Sequence, residues 1–152
     1  KGDFPFQLVA FQGVVRSIGI LDCDAHYGNG TDDIVQRRGV QGIRHHTMGA
    51  HFHRRGDASS FELWLDRAIE DCRGVDLLIY QAGADPHVND PLGGVLTGVQ
   101  MAKRDHAVFS AFQGRPLVWN LAGGYQRDLN GGIEPVLKLH RTTAQIQNIY
   151  QA

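Results

Sequence analysis

Asp22, Asp24 and His26 stand at alternate positions in the run Asp22-Cys23-Asp24-Ala25-His26-Tyr27-Gly28-Asn29-Gly30-Thr31. Alternate side chains of an extended segment share a face, so carboxylates and an imidazole at this spacing converge on one point. Close acids repel one another, and a divalent cation held by Asp24 and His26 removes that cost. The segment alone also reads as a loop whose acids cap backbone N–H groups. A third candidate ligand, Asp85, ends Gln81-Ala82-Gly83-Ala84-Asp85-Pro86. Two carboxylates and one histidine leave a coordination position for water and a substrate carbonyl, the arrangement of catalytic rather than structural zinc. Before a proline, Asp85 by itself also suits a turn. The run Ala122-Gly123-Gly124-Tyr125 adds glycines that allow close backbone approach and a phenol able to donate to a developing oxyanion. A tyrosine there also serves simple packing.

Each of these segments follows a short apolar run: Ile18-Gly19-Ile20-Leu21, Val75 to Tyr80, and Pro116 to Leu121. Runs of this length that end in glycine-containing polar stretches predict buried parallel strands. Between them, Phe61, Leu65, Ala68, Ile69 and Cys72 recur at helical spacing behind a capping box of Ser59 and Glu62, and Arg73-Gly74 ends that helix. A second box, Thr97 with Gln100, opens a helix carrying Met101, Val108, Phe109 and Phe112. Gln7 to Val15 reads as a further helix, and Pro135 sits in the first turn of a last one that runs past His140. Strands alternating with helices give an α/β fold, a parallel sheet flanked by helices, with the site at the strands' C-terminal ends. No linker-like stretch divides residues 1–152, so a single domain is expected.

Composition narrows the function. With 15 basic and 16 acidic side chains intermixed, the formal charge is -1, which gives no electrostatic footprint for nucleic acid or an anionic membrane. An apolar content of 42% supports a buried core, and no apolar run has the length of a membrane-spanning helix. Cys23 and Cys72 have neither CxxC spacing nor an evident pairing, which with the absent signal-peptide pattern favours a reducing, cytoplasmic location, or a nuclear one in a eukaryote.

The three motifs in this order, with Asp90-Pro91-Leu92-Gly93-Gly94 after the second, resemble the successive signatures of the zinc-dependent histone deacetylase and acetylpolyamine amidohydrolase family. The resemblance implies the arginase-deacetylase fold, zinc held by Asp24, His26 and Asp85, and Tyr125 as the carbonyl-polarising residue. It further implies that Asp22 orients a catalytic histidine, that Asn29 supports a second one, and that a potassium ion lies beside Asp22, Asp24 and His26. Phe4, Leu92, Gly123 and Gly124 would line the substrate tunnel, and the substrate would be an acetyl-lysine or another acetylated amine. An oligomer is compatible with the family.

The family's general base belongs to a His-His pair ahead of the first motif, which the resemblance puts just before Lys1. The chain would thus correspond to the C-terminal portion of a catalytic domain, inactive by itself. His45-His46 follow the motif instead and, with His51 and His53, are expected to be adventitious surface histidines.

Three other readings compete. A dinucleotide site built on Gly28-Asn29-Gly30 lacks its third glycine, because Asp33 stands in that position. An arginase-type pair of manganese ions needs an acid where Gly28 stands. A non-catalytic module that binds acylated ligands stays open, although binding alone does not require an oxyanion donor such as Tyr125.

Overall fold

The computed structural model describes residues 15–54 and 57–151. In chain order the elements are β1 (Ile18–Asp22), α1 (Asn29–Arg38), β2 (Ile43–Thr47), a 3-10 turn (Met48–Ala50), α2 (Ala58–Cys72), β3 (Leu77–Gly83), α3 (Gly98–Ala111), β4 (Leu117–Ala122) and α4 (Glu134–Ile149). The four strands pair in the order β2-β1-β3-β4, every pair parallel. This is the α/β architecture expected from alternating apolar runs and helical periods, and it brings all strand C-termini to one edge.

Strand alternation divides the sheet into two unlike faces. Leu21, Leu78 and Tyr80 are fully buried against Phe61, Leu65 and Ile69 of α2, Met101, Val108 and Phe109 of α3, and Ile146 of α4. On the other face Ile20, Ile79 and Val118 occupy neighbouring rungs, the first two half-buried and Val118 exposed among the described residues.

The helical spacings fall where the sequence puts them. Phe61, Leu65, Ala68, Ile69 and Cys72 form the buried stripe of α2. The Thr97 box is present at α3: Gln100 N donates to Thr97 Oγ1 at 3.3 Å while Thr97 N donates to Gln100 Oε1 at 2.9 Å. Pro135 lies in the first turn of α4, which continues beyond His140.

The Ser59 and Glu62 box needs correction. α2 already begins at Ala58, with Asp57 at the N-cap, so Ser59 is inside the first turn. Asp57 instead accepts the His53 and Arg54 N–H groups at 2.8 and 2.9 Å, closing the preceding loop. The helix expected over Gln7 to Val15 and the tunnel candidate Phe4 lie outside the described residues, apart from Val15, which is not helical.

Beneath the site edge Arg104 is fully buried and holds two strand ends together. Its Nη1 donates to Cys23 O at 3.2 Å and to Gly83 O at 2.9 Å, the carbonyls just before Asp24 and close before Asp85. Asp105 balances the charge, accepting from Arg104 Nε at 2.9 Å, from Thr143 Oγ1 at 2.6 Å and from the Tyr80 hydroxyl. A buried cation is tolerable only with such a fully bonded partner.

Candidate metal centre

β1 ends at Asp22, and the chain beyond it stays close to the end of β3: Ala25 N donates to Asp85 Oδ1 at 3.1 Å. This contact gathers Asp24, His26 and Asp85, whose ligand atoms all lie within 4.8 Å of one another. His26 Nδ1 is 3.0 Å from Asp24 Oδ1 and 2.9 Å from Asp85 Oδ2. One ring nitrogen carries at most one proton, and the hydrogen bond it makes is with Asp24. Asp85 Oδ2 is left fully buried without a hydrogen-bond partner.

An unsatisfied buried carboxylate oxygen is costly, and the titration of the groups reflects it. Burial, reinforced by the charge of Asp24, pushes the Asp85 carboxyl up to about 7. The hydrogen bond to Asp24 holds His26 above its ordinary value. Two carboxylates and a ring nitrogen facing one point fit a divalent ion, which would satisfy Asp85 Oδ2 and screen the two acids from each other.

The backbone is shaped around Asp85. Gly123 has φ 54°, and a Cβ there would lie 2.4 Å from Asp85 Oδ1, so only glycine fits beside the carboxylate. The following tyrosine is exposed, and its ring meets His26 edge-on with centroids 6.1 Å apart. Tyr125 therefore stands beside the ligand cluster, as its position after the third apolar run implied. Leu92 is exposed as well, and Gly124 is half-buried in the same loop as Gly123.

Asp22 occupies a second niche. Its Oδ1 accepts from Asp24 N at 3.1 Å and from Gln81 Nε2 at 3.0 Å, and burial raises its pKa. With Gln81 and His45 it lines a cavity of about 320 Å³. Asn29 opens α1 as an exposed residue. A Cβ at Gly28 would lie 2.6 Å from Asp22 Oδ2, so the acid that a binuclear manganese site requires there would displace the Asp22 carboxylate.

His45 departs from expectation. Its side chain is only 5% exposed, and its Nδ1 pairs with Asp32 Oδ1 at 2.6 Å, whereas His46 is half-buried against Asp71 at 2.9 Å. They lie on β2, where consecutive side chains point to opposite faces, so adjacent histidines cannot both be surface groups of one kind. Sequence reasoning also missed Gln81 as a partner of Asp22 and Asp90 as a partner of Tyr125, whose N–H it accepts at 2.7 Å. The polar Gln81 inside an apolar strand was the available signal for the first; hydrogen bonding between distant loops leaves none for the second.

Solved structures share this architecture. An acetylpolyamine aminohydrolase from Burkholderia pseudomallei superposes with a TM-score of 0.68 at 19% identity, over 91% of this chain and 47% of that one. A histone deacetylase homologue from Aquifex aeolicus gives 0.68 at 13% identity, over 94% and 44%. The chain has the deacetylase fold. A third relative in this fold, a deacetylase homologue in complex with SAHA, gives a TM-score of 0.60 at 15% identity, over 91% and 44%. In sequence, an uncharacterised protein of Picosynechococcus sp. is 25% identical over 154 residues, 89% of this chain and 51% of its own length. No protein-family profile matches. The chain thus spans about half the length of these relatives.

Proposed function

We propose that this chain supplies the metal-holding part of a zinc-dependent amidohydrolase that cleaves an acetyl amide, of acetyl-lysine or an acetylpolyamine, to acetate and a free amine. The observation that carries the reading is the fully buried Asp85 Oδ2, whose one close polar neighbour is His26 Nδ1 at 2.9 Å among the described residues, with Tyr125 standing beside them. Asp24, His26 and Asp85 are the residues that would hold zinc. Bound there, zinc supplies Lewis acidity to the acetamide carbonyl and to the attacking water.

The chain's own residues do the remainder. The Tyr125 hydroxyl donates to the carbonyl oxygen as water adds and negative charge builds on it. The C–N bond then breaks, and the departing nitrogen needs a proton, which a general acid delivers. That acid, and the base that first deprotonates the water, would be a histidine oriented by Asp22, the role that the resemblance gives this residue. Residues 1–14, 55, 56 and 152, which lie outside the described ones, contain no histidine, so this histidine is not one of the chain's own and the chain alone is expected to bind metal without turnover. The potassium ion suggested by resemblance has no further support in the described residues.

The test uses the full-length natural protein, zinc-loaded, with an acetyl-lysine peptide and an acetylpolyamine as substrates. Tyr125→Phe is expected to lower kcat by roughly a hundredfold or more, the usual cost of one oxyanion donor. His26→Ala should abolish stoichiometric zinc. Zinc binding without acetate release from either substrate would favour the non-catalytic module instead. Full activity of Tyr125→Phe would refute the assigned mechanism.

A further inference from the structure

Asp90 lies in the loop between β3 and α3, apart from the ligand cluster, with only 6% of its surface exposed. Both carboxylate oxygens are used. Oδ1 accepts the Leu92 N–H at 3.0 Å and Oδ2 accepts the Tyr125 N–H at 2.7 Å. The two residues whose N–H groups it grips are themselves exposed, so one buried group anchors the backbone under two exposed side chains, one of which, Tyr125, stands against His26.

The strand leading to Tyr125 is fixed as far as Ala122, whose carbonyl accepts Ala84 N at 2.8 Å. Beyond it come Gly123 and Gly124 at φ 54° and 110°, the residues with the least intrinsic backbone stiffness. No regular element begins again until Glu134. The neighbours of Tyr125 are tied elsewhere, Gly123 through its backbone to His140 and the buried Gln126 to His87, and the bond from the Tyr125 N–H to Asp90 is the hydrogen bond that acts on the tyrosine's own backbone. An error of about 1 Å in such a donor is enough to lose much of its effect on a reacting carbonyl.

We infer that Asp90 is a positioning residue, setting the Tyr125 hydroxyl against the reacting carbonyl and, through Leu92, the rim at which substrate enters. This rests on the amidohydrolase reading above. Two N–H donors approach from two sides, so both oxygens must be acceptors. Asparagine has the same shape but turns one of them into a donor, which faces an N–H group and loses that bond.

A double-mutant cycle in the full-length, zinc-loaded protein tests it. Asp90→Asn is expected to lower kcat by roughly tenfold or more when Tyr125 is present, and by less than about twofold in a Tyr125→Phe background, where no hydroxyl remains to misplace. The KM increase that comes through Leu92 should persist in both backgrounds. Asp90→Glu keeps both acceptors but advances them by one methylene, and it should show the same dependence on Tyr125 if Asp90→Asn fails to fold. An equal kcat loss in both backgrounds, or no loss in either, would overturn the inference. A wild-type protein that binds zinc and turns over nothing would overturn the amidohydrolase reading itself, a result the cycle tells apart.

Discussion

At the scale of single residues, the charge state of Asp85 governs the site. Its carboxyl moves from 3.8 to about 7 on folding, so between those values the native state holds a proton that the unfolded chain has released. Stability of the metal-free protein should therefore fall as pH rises through that window, the slope following the excess of bound protons in the native state. Zinc must displace the same proton and the one on His26, whose pKa is also raised, so its affinity should climb through about pH 7 and level off only once both groups are deprotonated. Zinc titrations and metal-free thermal melts between pH 5 and 8 check both trends; Asp85→Asn should flatten the dependence of the melts, and an unchanged slope would remove Asp85 as its source. The grouping of Asp24, His26 and Asp85 was legible from motifs that end successive apolar runs; strand alternation also placed Asp22 at that point, but β1 stops at Asp22, the chain bends through residues 24–26, and Asp22 lies in a niche of its own. Asp90 was not legible in its role: it bonds a backbone N–H 35 residues away, and no periodicity encodes a contact between two loops.

Elements place these residues only as well as their ends are tied. Arg104 of α3 joins the carbonyl of Cys23 to that of Gly83, and it is paired with Asp105 in the core. Arg104→Met would leave Asp105 without its cation and two strand-end carbonyls without a donor, at a cost of about 3–5 kcal/mol. Urea unfolding measures the loss, and zinc affinity should drop with it because both ligand-bearing loops begin at those carbonyls. A stability change below about 1 kcal/mol would mean that the strand ends are held by something else. The three strands flanked by apolar runs and the stripes of α2 and α3 were readable, since burial imposes their periods. β2 was obscured by Arg44, His45 and His46, which leave Ile43 as its one strongly apolar residue before Thr47. α1 was missed because it buries no residue, so nothing apolar marks its face. Ser59 looked like a cap by spacing alone; Asp57, already bonding two N–H groups, takes that place.

Among the described residues of the whole molecule, the helices α2, α3 and α4 pack on one side of the sheet while on the other Ile20 and Ile79 are half-buried and Val118 is exposed. Parallel sheets are ordinarily covered on both faces. The chain expressed alone should therefore bind a hydrophobic dye and self-associate with rising concentration, and Val118→Lys should reduce both in fluorescence and sedimentation measurements. Dye binding unaffected by Val118→Lys would place the exposed apolar surface elsewhere. The contact of Ala25 with Asp85 spans 60 residues of chain, and neither Cys23 nor Cys72 is bonded to another thiol. An ion shared by Asp24, His26 and Asp85 would be the molecule's cross-link, a reversible counterpart of a disulfide. Closing a loop of that length restricts the unfolded chain by about 4 kcal/mol in the chain-entropy picture. Metal supply would then set how much of this protein stays folded as well as how fast it works.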